Sequence, residues 1–258
     1  MSANAQTDPN ERAAIEASNF ARRLVQHWDK LLGAELLGAY LMGSLAHGGF
    51  SRRYSDIDIA LITETGLTTE ALATLRSEAA ALSADWGAKV SVFWTDRNFS
   101  CGRFPPLDRI DYLDCAVTLL ERQQVEPARP TIEEVRHYLR GAPFASWADR
   151  ARNFATAPVL ARKDHKAYLK ALLYPARFCY SWSTGRMGSN DAAVAYLSER
   201  NLPGLDLGSI KRALSCRAAG DDPDELFRAR TILPSQVEAC AAATGLAASA
   251  WSGAPSSA

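Results

Sequence analysis

The stretch from Gly43 to Ile62 constrains the fold of this chain more than any other part of the sequence. It opens with a Gly-Ser pair directly after an apolar run, and it closes on Asp-Ile-Asp-Ile, which begins at Asp56. Side chains two apart lie on the same face of a strand, so Asp56 and Asp58 are predicted to point together while the isoleucines face a core. The stretch therefore predicts a strand, a Gly-Ser turn and a second strand that carries two carboxylates.

The polar residues of this stretch suit the binding of phosphates. Two carboxylates on one strand offer hard oxygen ligands to Mg²⁺, which prefers carboxylates together with substrate phosphates. Gly43 lets the backbone approach a phosphate, and Ser44 adds a hydroxyl and a main-chain N–H at a predicted helix start. The plain alternative is a pair of solvated aspartates at a strand end. The joint occurrence of Gly-Ser, Gly48-Gly49, Ser55 and the two aspartates favours the phosphate site.

This order of residues resembles the signature of the nucleotidyltransferase superfamily that includes polymerase beta. The resemblance implies two Mg²⁺ ions held by Asp56 and Asp58, and transfer of a nucleoside monophosphate to an acceptor hydroxyl with release of pyrophosphate. It also implies that Gly43, Ser44 and Ser55 are nucleotide-binding residues.

One expected residue of the superfamily is missing. The next strand usually presents a third carboxylate, as a metal ligand or a general base, and the matching strand here carries Ser91 at that place. A serine cannot deprotonate a hydroxyl at neutral pH. Asp96 is a weaker candidate because it has the opposite strand parity. Three explanations stay open: the acceptor brings its own activation, another domain supplies the base, or turnover is impaired.

Composition limits the function further. Hydrophobic residues make up 47% of the 258 residues and charged residues 22%, as in an ordinary globular protein. The 29 basic residues balance the 29 acidic ones, which weighs against an extended nucleic-acid-binding surface.

No apolar run approaches the roughly 20 residues of a membrane span. The first residues lack the pattern of a signal peptide, and five cysteines without a C-x-x-C pair favour reduced thiols in the cytoplasm. The four scattered histidines disfavour zinc.

Near Gln124 to Pro130 the sequence pattern changes from mixed to helical. We therefore expect an α+β fold with a nucleotidyltransferase domain over residues 1–127, built as a small mixed sheet with flanking helices. An all-helical domain over 128–246 and a disordered tail over 247–258 follow. A capping box at Thr131 to Glu134 opens the helical part. Helices are predicted at about 132–140, 146–156, 161–184, 191–200, 208–219 and 224–243.

Two groups of charged residues have less specific interpretations. Arg52 and Arg53, in the loop before the aspartates, could contact a triphosphate or simply be solvated. Asp108, Asp111 and Asp114 have helical spacing and are predicted to form a solvated acidic face.

The helical half of the sequence resembles one particular family within this superfamily. The segment from Ala176 to Gly185 looks like a helix end in the C-terminal domain of aminoglycoside 3''-adenylyltransferases, and Phe104-Pro105-Pro106 also resembles a segment of that family. In that family ATP and the antibiotic lie between the two domains. The likeness implies that ATP is the nucleotide, that the helical domain closes over the cleft, and that Arg177 is a phosphate-binding arginine.

Other positions depart from that family. Its loop lysine appears here as Asn190, its nucleotide-binding asparagine as Lys170, and its antibiotic-binding aspartate falls near Ala167. Lys170 and Arg177 are two helical turns apart, so they can share a face and hold phosphates together. Because aminoglycosides are polycations that need carboxylates, antibiotic resistance is not expected.

The sequence thus favours a cytoplasmic, Mg²⁺-dependent nucleotidyltransferase that moves a nucleoside monophosphate onto a hydroxyl of a small molecule. The favoured nucleoside monophosphate is AMP from ATP, and aminoglycoside-like compounds are among the candidate acceptors. One alternative is a nucleotide-binding regulatory or interaction module with weak or no turnover, because Ser91 replaces the expected base. Another is a protein-modifying nucleotidyltransferase of toxin–antitoxin type. Nucleic acid is the least favoured partner.

Overall fold

The computed structural model describes residues 8–200 and 202–246, and the tail predicted over 247–258 lies outside these described residues. The chain divides into two compact units, Met1–Arg129 and Pro130–Ala258. Among the described residues, no helix is both long enough and apolar enough to cross a bilayer. All five cysteines are free thiols.

The first unit is built on a four-stranded sheet with the order β3-β2-β1-β4. Its strands are β1 (Leu36–Met42), β2 (Ile57–Thr63), β3 (Val90–Asp96) and β4 (Val117–Glu121). Strand β1 pairs antiparallel with β2 and β4, and β2 pairs parallel with β3. The expected small mixed sheet is therefore confirmed.

Within residues 8–129, which the structure describes, five α-helices accompany this sheet. They are α1 (Pro9–Leu32), α2 (Gly43–His47), α3 (Thr69–Leu82), α4 (Ala84–Gly87) and α5 (Pro106–Cys115). Helix α1 begins at a capped first turn, in which the Asp8 carboxylate accepts a hydrogen bond from the Asn10 amide at 3.0 Å and Pro9 occupies the first turn. Its apolar stripe, with Phe20 and Trp28, is fully buried.

Strand β2 sends alternate residues into two separate cores. Ile57, Ile59 and Leu61 pack in a cluster with residues of α1 and α3. Ala60 and Ile62 belong to a second cluster on the opposite face of the sheet. By strand parity, Asp58 lies on the face of this second cluster, near the amino end of β2.

The second unit is helical throughout its described regular elements. Its helices are α6 (Ile132–Arg140), α7 (Ala142–Thr156), α8 (Pro158–Lys163), α9 (His165–Thr184), α10 (Asn190–Arg200), α11 (Leu207–Ala219) and α12 (Leu233–Thr244), with a 3-10 segment at Asp224–Ile232. Helix α9 is central, since it contacts α6, α7, α8, α10, α11 and α12. The predicted capping box of α6 is present, with the Glu134 amide donating to the Thr131 hydroxyl at 3.2 Å.

Two predicted helices are each divided in the structure. The prediction over 161–184 misses the break at Asp164, whose carboxylate accepts from the Ala167 amide at 2.8 Å and so starts a new helix. The prediction over 224–243 merges the 3-10 segment with α12, which begins at Leu233-Pro234 because proline favours the first turn of a helix.

Candidate functional site

Gly43 lies at the junction of β1 and α2, with its backbone against the carboxylate of Asp58. Its φ of +61° is in the left-handed region that favours glycine. A Cβ at this position would lie 2.3 Å from Oδ2 of Asp58, which no side chain can occupy without a shift. The register of β1 and β2 sets this approach, since Met42 is the pairing partner of Asp58. The structure thus brings the Gly-Ser turn and the second aspartate together.

Asp111 is a part of this site that sequence reasoning missed. Its Oδ2 accepts a hydrogen bond from the Gly43 amide at 2.9 Å, and its Oδ1 is 3.9 Å from Nε2 of His47. The Asp111 side chain is only 4% exposed. The prediction of a solvated acidic face is therefore wrong for Asp111, although it holds for Asp114, which is exposed and pairs with Arg129. Helix α5 buries the face that carries Asp111 and leaves Asp114 at the surface.

Ser44 and Ser55 contact each other through their hydroxyls. Oγ of Ser55 accepts hydrogen bonds from Oγ of Ser44 at 3.0 Å and from the Ser51 amide at 2.9 Å. The Ser55 amide in turn donates to the Ser51 carbonyl at 2.9 Å. Ser55 is buried, so in this structure it braces the loop and fixes the Ser44 hydroxyl. A direct contact of Ser55 with a nucleotide stays a prediction.

Lys89 holds the same loop from the side of β3. Its ammonium donates to the Arg53 carbonyl at 3.2 Å and to the Ser55 carbonyl at 3.5 Å. Arg52 faces away, since its guanidinium is 3.2 Å from Glu16 and stacks 4.9 Å from the ring centre of Trp86. Arg52 is exposed, as the second of its two interpretations expects, and its side chain also ties the loop to α1 and α4.

Asp56 directly precedes β2 and Asp58 lies inside it, and both are partly buried. In the part of the chain that the structure describes, no group of three or more His, Cys, Asp or Glu side chains could hold a metal ion. Two carboxylates are a set that Mg²⁺ uses when substrate phosphates supply further oxygens. The residues present therefore fit a Mg²⁺–nucleotide complex better than a metal held by protein groups alone.

The strand next to the aspartates carries no acid opposite them. Ser91 is the parallel register partner of Asp58, in agreement with its predicted place. Asp96 pairs with Thr63, about 16 Å further along the strands and on the other face. Its carboxylate accepts from the amide of Ser100 at 2.7 Å and from the Ser100 hydroxyl at 2.6 Å, and the hydroxyl bond is the main cause that lowers the pKa of Asp96. Asp96 thus closes the turn after β3 and does not replace the missing base.

Lys170 and Arg177 line one pocket of the second unit, with a volume of about 330 Å³. The shared helical face predicted for them is therefore present on α9. Arg150 from α7 and Arg217 from α11 line the same pocket. Sequence reasoning missed these two arginines because nothing in their local sequence links them to α9.

Comparison with known proteins supports the fold. No protein-family model and no curated protein sequence matches the chain. Among solved structures, the chain is similar to spectinomycin adenyltransferase AAD(9) from Enterococcus faecialis, solved with ATP and spectinomycin. The TM-score is 0.61 at 12% sequence identity, and the match covers 88% of this chain and 98% of the other. The likeness shows that this chain shares the fold of that structure, an α+β arrangement with a helical C-terminal part.

Proposed function

We propose that this chain is a Mg²⁺-dependent nucleotidyltransferase that moves a nucleoside monophosphate, AMP from ATP above all, onto a hydroxyl of a small molecule. The observation that carries the proposal is the approach of the Gly43 backbone to the Asp58 carboxylate. Gly43 has no side chain, and Asp58 is the proposed metal ligand beside it. A metal-bound triphosphate therefore has room to lie against the turn. The fold shared with an adenyltransferase solved with ATP supports the choice of nucleotide. The free thiols favour the cytoplasm as the compartment.

The proposed roles follow from the contacts. Asp56 and Asp58 would hold the metal, which when bound neutralises charge on the transferred phosphoryl group. Gly43 and Ser44 would bind the triphosphate, with the Ser44 hydroxyl oriented by Ser55. Lys89 is a positioning residue, since it fixes the loop that leads to Asp56 through two backbone carbonyls.

The second unit supplies two proposed phosphate contacts, Lys170 and Arg177. They lie two turns apart on α9 and line one pocket, so a single ligand could contact both. Arginine binds phosphate through a planar pair of donors, and lysine acts as a compact positive charge.

One observation favours a second candidate, a nucleotide-binding module with weak or no turnover. Ser91 stands beside Asp58, and a cluster of three potential metal ligands is absent from residues 8–200 and 202–246. We assign no general base for the acceptor hydroxyl. The two candidates differ in one measurable step, the release of pyrophosphate.

The test is pyrophosphate release from Mg·ATP with a panel of small hydroxylated acceptors. Wild type is expected to release pyrophosphate only when an acceptor is present, and Asp58→Asn is expected to lower the rate by about a hundredfold or more, since a metal ligand is lost. Asp85→Asn is the matched control, because Asp85 is exposed on α4 and outside the site. Release by Asp58→Asn at the rate of wild type would overturn the proposal. Binding of Mg·ATP without release under any acceptor would favour the module instead.

A further inference from the structure

The two neighbours of strand β2 give the proposed metal site two chemically different sides. Strand β1 lies on one side of β2 and ends in the Gly43-Ser44 turn, which is assigned to the triphosphate. Strand β3 lies on the other side, where Ser91 is the register partner of Asp58. In a phosphoryl transfer the attacking and leaving oxygens lie roughly in line on opposite sides of the phosphorus. With pyrophosphate leaving at β1, the acceptor hydroxyl therefore approaches from the side of β3.

The segment that follows β3 folds back along the outer edge of this strand. Thr95 and Gly102 form an antiparallel bridge, and the Arg103 amide donates to the Trp94 carbonyl at 2.8 Å. The segment depends on Gly102, whose φ is +93° and whose added Cβ would lie 2.1 Å from the carbonyl oxygen of Trp94. These backbone contacts place Arg103 beside the middle of β3.

The Arg103 guanidinium lies over the ring of Phe93, 4.5 Å from the ring centre. Phe93 follows Ser91 by two residues, so both side chains share the face of the sheet that carries Asp58. Two residues of a strand span only about 7 Å. A small acceptor can therefore reach from the metal carboxylates to the guanidinium.

The polar groups on this side keep donors that a ligand can use. Arg103 is exposed, and within residues 8–200 and 202–246 its guanidinium has no hydrogen bond and no ion pair. Ser91 is partly exposed, and its hydroxyl likewise bonds to no described residue. Arg97, in the same returning segment, differs because it pairs with Glu64 at 3.0 Å. A cation over an aromatic face is positioned without use of its N–H groups, so Arg103 can bind the oxygens of an anion.

We propose that the β3 side of the metal site binds the acceptor, and that Arg103 selects an acceptor that carries a carboxylate or phosphate group besides its hydroxyl. Arg103 binds the anionic group through charge-assisted hydrogen bonds, and Ser91 contacts the hydroxyl end. The acceptor oxygen bonds to the α-phosphorus of ATP, pyrophosphate leaves with the electron pair of the broken P–O bond, and the hydroxyl proton passes to solvent. The inference rests on the proposed function, from which it takes the metal site and the place of the triphosphate.

The same arrangement disfavours polycationic acceptors such as aminoglycosides. A neutral Ser91 stands where a carboxylate would attract them, and the charge of Arg103 opposes them.

The first test compares pyrophosphate release from Mg·ATP with glycerol, glycerate and glycerol 3-phosphate, which share hydroxyl groups and differ in charge. Wild type is expected to use at least one of the two anions with a kcat/KM about tenfold or more above that for glycerol, because a charge-assisted contact is gained. The two anions distinguish a carboxylate from a phosphate. Equal kcat/KM for all three acceptors, or a preference for glycerol, would overturn the proposal.

Variants of Arg103 locate the effect. Arg103→Gln is expected to raise the KM for the anionic acceptor about tenfold, with its effect on this KM rather than on the KM for Mg·ATP. Arg103→Lys should recover part of the loss, since it keeps the charge. Arg76→Gln is the matched control, because Arg76 is exposed on α3, which packs on the opposite face of the sheet. Equal effects of Arg103→Gln and Arg76→Gln, or a rise in the KM for Mg·ATP alone, would overturn the assignment of Arg103 to the acceptor.

Calorimetric titration of glycerate and glycerol 3-phosphate into the full chain separates this inference from the proposed function. Wild type and Asp58→Asn should both bind at least one anion, and Arg103→Gln should bind it about tenfold more weakly. Such binding in a chain that releases no pyrophosphate with any acceptor would retain the anion site and reject the transferase. Release with neutral acceptors alone would retain the transferase and reject the anion site. No binding of either anion by wild type would also overturn the proposal.

Discussion

At the scale of single residues, Gly43 and Asp111 show how the Gly-Ser turn is held. Gly43 gives its amide to the carboxylate of Asp111 at 2.9 Å, while its α-carbon faces the carboxylate of Asp58. The turn is therefore fixed between two acids. One acid is the proposed metal ligand, and the other holds the backbone from α5.

Gly43→Ala is expected to abolish Mg·ATP binding, because the new methyl group would overlap Oδ2 of Asp58. Gly33→Ala is the matched control. Gly33 has a similar φ of +56° but no atom within 4 Å of an added Cβ. Both variants should lose stability because alanine is strained at a positive φ, and Gly43→Ala should lose more. Chemical denaturation and calorimetry measure the two effects. Normal nucleotide binding by Gly43→Ala would show that the close approach to Asp58 is not needed.

Asp111→Ala is expected to destabilise the protein by about 1–3 kcal/mol, because it leaves the Gly43 amide without its acceptor in a buried place. Asp111→Asn should lose less, since an amide oxygen can still accept this bond. Asp114→Ala, on the same helix but exposed, should change stability by less than about 1 kcal/mol. Denaturant unfolding compares the three variants. Equal losses for Asp111→Ala and Asp114→Ala would contradict the structural role of Asp111.

The sequence predicts that Asp56 and Asp58 point the same way, but it gives no sign of the contact that Asp111 makes, for a physical reason. Strand alternation fixes the relation of two residues on one strand without any knowledge of the fold. The role of Asp111 depends on which face α5 turns toward β1, and helical spacing gives the same pattern for a buried and an exposed acid. The sequence likewise gives no sign of the contacts of Lys89, since its ammonium binds backbone carbonyls that lie 34 and 36 residues away in the chain.

At the scale of elements, β3 ends in a turn that Asp96 stabilises. Its carboxylate accepts from the amides of Ser100 and Cys101 and from the Ser100 hydroxyl. Because the folded-state pKa of Asp96 is below the ordinary value, its ionised form contributes stability above the unfolded pKa of about 3.9. That contribution is lost as the pH falls through about 3.9 toward the folded pKa.

Wild type should therefore be more stable than Asp96→Asn at neutral pH, and the difference should shrink in acid. Denaturant unfolding of both proteins between about pH 7 and about pH 3 measures it. A difference that stays constant over this range would show that the charge of Asp96 does not stabilise the turn.

Elements were easier to predict than their ends. The pattern of α6 carries its own start signal at Thr131, and its predicted bounds agree with the structure. The break at Asp164 was not predicted because apolar spacing continues across it, and only the side-chain bond to the Ala167 amide reveals a new start.

At the scale of the whole molecule, a net charge of zero coexists with a local cluster of positive charge. The chain has no formal net charge, yet four cations line the pocket of the second unit. They come from α7, α9 and α11, so the concentration arises only when the helices pack. The sequence thus predicts the fold class and the shared helix face of Lys170 and Arg177, while the position of the other two cations depends on packing.

The central claim is that Asp56 and Asp58 form a Mg²⁺–nucleotide site. Calorimetric binding of Mg·ATP to wild type and to Asp56→Asn/Asp58→Asn tests it most directly. Asp85→Asn/Asp114→Asn serves as the control, because it removes two exposed carboxylates from the same unit. We predict that wild type and control bind alike, and that the site variant binds about a hundredfold more weakly or not at all. Equal binding by the site variant, or no binding by wild type, would contradict the claim.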